Sequence, residues 1–309
     1  MSPGEFFLQQ FINGLAIGSI YALIALGYTM VYGIIQLINF AHGEIFMAGA
    51  YLGLAAILLI GSIGPIGAAA GAAPALSLVL TILTAAAGCA LLGLAVERVA
   101  YRPLRQAPKL SVLITAIGVS FFLQNAVMLS FGAQDRYVPP LLPVLHARIG
   151  SVTVTLMQGI VLAVSLMLMM GLQGIVYGTA LGRAMRATAQ DPLAARLMGI
   201  PVNRIIAVTF AMGSALAGVG GVLFGLTYST INFHDGYLTG LKAFTAAVLG
   251  GIGNIPGAML GGLLLGFLEG FAAAYLSTQW KNVVAFTVLV LVLILRPRGL
   301  LGERVAERA

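Results

Sequence analysis

Few residues in this chain are of a type that does chemistry, and they fall in three places. The first is residues 36–44, where Asn39, His42, Gly43 and Glu44 interrupt apolar sequence. An ionisable side chain at the centre of a bilayer costs roughly 2.5–3.5 kcal/mol even on insertion scales, so it marks a functional site by default. Broken helix is tolerated in a membrane where it lines a cavity or packs on protein. One reading therefore makes Asn39, His42, Gly43 and Glu44 a gate or pathway segment. The other makes them a turn near the inner surface, with Asn39 capping a helix that starts near His42. The topology derived below favours the turn. The second place is Glu269, set among Phe267, Leu268 and Phe271. It faces a pathway or a packing partner, or else lies near the outer interface. The third is the longest polar interruption, residues 182–204, with Arg183, Arg186, Asp191, Ala194, Ala195, Arg196, Gly199, Pro201 and Arg204. Asp191 before Pro192 fits an N-cap followed by proline at the first helical position. Residues 193–198 then make a short helix, ended by Gly199 and Pro201. Such a capped helix suits a docking element for a peripheral motor, with an ordinary basic loop as the alternative.

Other chemistries lack their residues. No G-x-x-x-x-G-K-[ST] loop is present, and Lys109, Lys242 and Lys281 each follow a residue other than glycine. There is no HExxH, and His42, His146 and His234 have no metal-ligand spacing, so no metal site and no cofactor are expected in this chain. The single cysteine, Cys89, excludes an internal disulfide and reads as a small buried hydrophobe. No nucleophile–base pair at workable spacing supports an enzyme.

The elements that must position these residues are membrane spans. Of 309 residues, 60% are hydrophobic and 8% charged, against about a quarter charged in soluble domains, so charge cannot cover a soluble surface. The mean hydropathy of +1.03 agrees, and the fold class is all-α and polytopic, one transmembrane domain over 1–309. About 20 apolar residues cross the hydrocarbon core. That ruler gives spans at 11–34, 45–63, 76–96, 112–131, 153–176, 205–226, 257–276 and 283–295. Residues 241–250 are apolar but short, a re-entrant half-helix or a broken span. Residues 1–10 lack the basic region of a signal peptide, so the first segment reads as a retained span. Residues 61–74, rich in Gly, Ala, Pro and Ile, are not assigned.

Charge sets the orientation. Twelve of the sixteen basic residues form three clusters: Arg98, Arg102, Arg105 and Lys109; Arg183, Arg186, Arg196 and Arg204; and Arg296, Arg298, Arg304 and Arg308. All three are assigned to the cytoplasm, facing anionic lipid, which also accounts for the +7 net charge without nucleic acid. Arg136, Arg148, Lys242 and Lys281 are then expected outside. Counting back puts the N-terminus outside and the C-terminus inside. An even number of crossings between Arg204 and Arg296 makes 241–250 a crossing in effect and the total about nine, with the turn at 250–257 near the cytoplasm. His234 and Asp235 read as a solvated outer loop or part of a docking surface, as do Asp135 and Arg136. Glu97 is expected to pair with a nearby arginine. The 40 glycines recur four apart at Gly14/Gly18, Gly49/Gly53, Gly221/Gly225, Gly253/Gly257/Gly261 and Gly262/Gly266/Gly270, spacing that lets helix backbones approach closely.

Four stretches carry a resemblance. Leu193-Ala194-Ala195, three residues and Gly199 is similar to the E-A-A-x-x-x-G motif of ABC-importer permeases, with Leu193 in place of Glu. Residues 36–44 followed by Gly49-Ala50-Tyr51, residues 97–105 (ERVAYRPLR) and residues 250–257 (GGIGNIPG) resemble three blocks of the LivH-type permeases of branched-chain amino-acid ABC importers. The resemblance runs in order from about Phe6 to Leu300. It implies the permease half of a translocation pathway in the cell inner membrane. The implied partners are a homologous second permease, two ATPase subunits that bind the ATP, and a periplasmic substrate-binding protein. The implied ATPase contact is the loop 179–204. Related permeases for urea or short amides share the blocks and stay as an alternative cargo. An ion-coupled secondary transporter would need intramembrane carboxylates or histidines, and only Glu44, Glu269 and Asp235 could serve.

Overall fold

The computed structural model describes residues 2–62, 73–296 and 298–302. Helices dominate it. We label them α1 (Pro3–Ile35), α2 (His42–Ser62), α3 (Pro74–Val96), α4 (Lys109–Phe131), α5 (Leu156–Gly178), α6 (Ala180–Gln190), α7 (Pro192–Leu197), α8 (Val202–Tyr228), α9 (Asp235–Gly250), α10 (Ile255–Tyr275) and α11 (Trp280–Leu295). Seven helices, α1 to α5, α8 and α10, are long and apolar enough to cross a membrane. The 16-residue helices α9 and α11 complete the bundle, and at about 1.5 Å per residue each is roughly 24 Å long. The chain is therefore a polytopic α-helical membrane protein.

The centre is α1. A helix apolar on all sides belongs in the core, and every residue of α1 from Gly18 to Val31 is buried. It packs chiefly on α10 and α8, and α8 in turn on α2 and α3. Lipid tails are as apolar as leucine, so association in a membrane comes from close packing rather than from the hydrophobic effect. The glycine series supply it. A β-carbon at Gly18 would lie 2.8 Å from Leu263 Cα, and one at Gly262 or Gly266 would meet the α1 backbone at Ala22 or Gly18. Gly49 likewise faces Gly218 between α2 and α8. The segment 253–270 thus packs its glycine face on α1 and α9, while Leu260 and Leu264 on the same helix are exposed.

Several expectations change. The fifth span starts at Leu156, not 153, because His146–Ile149 and Val152–Thr155 pair as an antiparallel hairpin. The Thr155 hydroxyl accepts from Gln158 N at 3.2 Å and caps α5 there. The short apolar segment 241–250 is the second half of α9, which begins six residues earlier at Asp235. Of the unassigned stretch 61–74, residues 63–72 lie outside the described residues, as do Arg304 and Arg308. Lys242 is not in an outer loop. It is 4% exposed, in the interior of α9.

Candidate coupling surface and transport pathway

The polar loop folds as two helices rather than one. Thr179 caps α6, its hydroxyl accepting from Gly182 N at 3.1 Å. After α6, Asp191 Oδ1 accepts from Leu193 N at 2.9 Å and Ala194 N at 3.0 Å, and Pro192 opens α7. The helix is stopped by Gly199 at φ +83°, a left-handed conformation that favours glycine. Ile200 N then bonds back to Ala195 O at 3.0 Å. Ala195 is buried and anchors the helix, while Ala194, Arg196, Gly199 and Pro201 are exposed. Leu193, Leu197 and Met198 are 68%, 81% and 83% exposed, an apolar tip on a charged rim. Arg183 of α6 is exposed as well. Arg186 turns inward instead. It donates to Val176 O at the end of α5 and stacks 5.4 Å over Tyr177, so it binds the loop to a helix C-terminus, where a cation is favoured.

The basic clusters meet at this end of the bundle. Arg105 pairs with Glu97, as expected, and its other nitrogen donates to Asn203 Oδ1 at 2.7 Å near the end of the 179–204 loop. One small cavity is lined by Gly33 and Ile34 of α1, Met185 and Arg186 of α6, and Gly253 and Ile255 of the glycine turn. The segment with Arg298 returns to that turn, where Leu300 N and Leu301 N donate to Leu249 O and Gly250 O, each at 2.9 Å.

The candidate pathway residues sit deeper. After α1 ends at Ile35, residues 36–41 fold back into the bundle, so that the His42 ring fills the space over Gly27 and lies edge-on to Tyr28 at 4.7 Å. Gly27 is eight residues, or about 12 Å, inside the end of α1. The break thus runs from the exposed Gln36 inward to a turn at residues 40–41, and α2 starts at His42 as expected. Asn39 does not cap α2 with its side chain, because its Oδ1 accepts from the Tyr101 hydroxyl at 2.8 Å. Gly43 packs on the α9 backbone, where a β-carbon would lie 2.9 Å from Gly240 Cα. Glu44 is 1% exposed, and its Oε1 accepts from Ser120 at 3.2 Å. Ser120 is the central residue of α4, so the carboxylate is at mid-depth.

Glu269 is buried too, but it has a cation beside it. Lys242 Nζ lies 2.7 Å from its Oε1, and the Tyr21 hydroxyl donates to Oε2 at 2.7 Å. These contacts tie α9, α10 and α1 together. Glu269 is thus joined to a buried cation inside the bundle. At the opposite end from the basic clusters, Asp235 Oδ2 accepts from Asn232 N at 2.7 Å, and His234 Nδ1 lies 2.7 Å from Gln124 Nε2. Asp135 accepts from Asn232, and Arg136 Nε donates to Phe131 O at 2.8 Å.

The profile of the family described as "Branched-chain amino acid transport system / permease component" matches residues 10–293. The chain belongs to this family of permeases. It is 49% identical to the high-affinity branched-chain amino acid transport system permease protein BraD of Pseudomonas aeruginosa, over 98% of each chain. It is 48% identical to the protein LivH of that transport system in Escherichia coli K12, again over 98% of each. A probable branched-chain amino acid transport permease protein LivH of Methanocaldococcus jannaschii is 26% identical, over 92% of this chain and 89% of its own.

Sequence reasoning about this permease missed two groups. Lys242 reads as an outer charge because its partner Glu269 lies 27 residues on, in another helix. Tyr101 reads as part of a basic span end, yet its ring packs on Phe210 and its hydroxyl holds the broken segment at Asn39. A cluster of buried polar residues in otherwise apolar helices was the available signal for Lys242. No local signal marks Tyr101.

Proposed function

We propose that this chain is the membrane-spanning subunit of an ABC importer for branched-chain amino acids in the cell inner membrane. Its transmembrane domain forms half of the pathway beside a homologous second permease. Two ATPase subunits bind the ATP and engage 179–204 from the cytoplasm, and a periplasmic binding protein delivers the cargo at the other face. Full-length identity near one half to BraD and LivH carries the reading. The exposed Leu193–Leu197–Met198 tip, held on a two-point cap and a left-handed glycine, supports the coupling role. Three basic groups at that end favour the cytoplasmic side by the positive-inside rule, which puts the N-terminus outside and the C-terminus inside. The branched-chain cargo is favoured over urea or short amides because relatives matched end to end carry that name.

The contacts support a route for the movement. Closure of the ATPases moves α7. Movement passes through Arg186 to α5 and through Asn203 and Arg105 to the π-turn Glu97–Tyr101. Tyr101 holds Asn39, so the same movement reaches the broken segment ahead of Glu44. The test is leucine uptake into vesicles containing the complete importer. Uptake that requires ATP and the binding protein supports the reading. Uptake by the permease alone, without any ATPase, would make it a secondary transporter and sink the proposal.

A further inference from the structure

Three carboxylates are buried among the described residues: Glu44, Glu97 and Glu269. Glu97 has Arg105 and Glu269 has Lys242. Glu44 has no cation, and its Oε2 has no hydrogen-bond partner at all. An ionised carboxylate in such a place is expensive unless a cation comes to it. Beside it is a cavity of about 230 Å³ between α1, the broken segment, α4 and α9. Glu44 lies directly behind its wall and does not line it: the wall residue Ser120 bonds Oε1, and the bare α-carbon face of the wall residue Gly236 lies against Oε2. The rest of the wall is mainly apolar, with Phe40, Ile117, Phe121 and Leu241. Its other polar side chains are Tyr28, Gln124 and Tyr237.

We infer that this cavity is an intramembrane subsite for one aliphatic zwitterionic amino acid, with Glu44 receiving its ammonium group. The inference rests on the proposed function and adds to it the residues that hold the cargo during transit. The ammonium supplies the charge that Glu44 lacks. Phe40, Ile117, Phe121 and Leu241 take the aliphatic side chain, and the hydroxyl and amide groups of Tyr28, Gln124 and Tyr237 offer donors to the carboxylate. An inorganic cation would satisfy Glu44 equally but leaves the apolar wall without a purpose. The size agrees: the cavity is smaller than the roughly 300–1,000 Å³ of drug-sized ligand sites, which suits a free amino acid. Ser120 is central in α4, so the subsite is near the midplane, where transporters commonly hold cargo between broken helices. Gly236, Gly240 and Gly43 keep α9 and the start of α2 in backbone contact, and any separation of these two opens the cavity towards Glu44.

The test uses the complete importer in vesicles, with its binding protein and ATP, and a leucine analogue carrying a photoreactive diazirine in the side chain. Illumination during turnover should label peptides containing Phe121 or Leu241, and excess leucine should protect them. Glu44→Gln should lower that labelling at least about tenfold, the scale of one charge-assisted hydrogen bond lost. Glu44→Asp should restore most of it, which a merely structural role would not require. Narrowing the cavity with Ile117→Trp should reduce labelling in an otherwise assembled complex, checked by its co-purifying ATPase subunits. Labelling confined to peptides outside α4 and α9 overturns the subsite, as does labelling unchanged in Glu44→Gln. Complete failure of the wild-type importer to take up leucine overturns the function itself, and the inference with it.

Discussion

Removing Lys242 should damage the permease far more than removing Lys242 and Glu269 together. The two charges are 2.7 Å apart with side chains 5% exposed. At an effective dielectric of about 20 their attraction is about 6 kcal/mol. Taking both from water costs several kcal/mol each, so against an apolar pair the net gain is small. A lone buried charge has no such offset. Lys242→Met leaves Glu269 with only the Tyr21 hydroxyl, and should cost about 3–5 kcal/mol. Glu269→Leu should cost about the same by stranding Lys242. The double variant Lys242→Met/Glu269→Leu strands only the Tyr21 hydroxyl and should lie within about 1–3 kcal/mol of wild type. Unfolding of the purified permease in mixed micelles against increasing denaturing detergent reads all four forms. The coupling energy of the cycle should then be several kcal/mol. Single variants losing less than about 1 kcal/mol, or a double variant as poor as the sum of the singles, would refute the buried-pair argument.

Other outcomes follow from the same geometry. Gly199→Val should leave expression intact but abolish transport and stimulation of the ATPase. Its β-carbon meets nothing within 4 Å, so the penalty is the left-handed backbone alone, about 1–3 kcal/mol and confined to α7; survival of both activities would remove α7 from the coupling surface. Gly18→Leu should force α1 from α10 and lower the yield of folded permease, since its first added carbon already sits 2.8 Å from Leu263 Cα; a normal yield and unfolding midpoint would show that the seam adapts. Arg102→Cys should react with an impermeant maleimide only from the cytoplasmic side, with the native Cys89 silent because it is fully buried; labelling from outside would invert the topology.

Helix α7 was legible because every instruction for it is local. A cap at Asp191, proline next and a glycine stop at Gly199 fix α7 within nine residues, and the backbone follows them. The neighbouring α6 was less legible: its cap at Thr179 lies beyond the apolar end of α5, and arginines and alanines alone do not distinguish a helix from a basic loop. Span boundaries shifted where a helix starts a few residues ahead of its apolar run, as at Lys109 and Trp280, or where a hairpin replaced its first turn, as at 152–155.

The sequence by itself determined the class of this protein. Hydropathy over about twenty residues, paired glycines and clustered arginines act through the bilayer, a solvent whose demands are uniform along the chain. Only the tertiary structure decided what each buried charge means. Lys242 and Glu269 neutralise each other across two helices, and Glu44 remains buried behind a cavity wall with no cation among the described residues. The physical reason is range. Hydropathy is a property of a segment, whereas the cost of a charge in a membrane depends on the partner that another segment brings within a few ångströms.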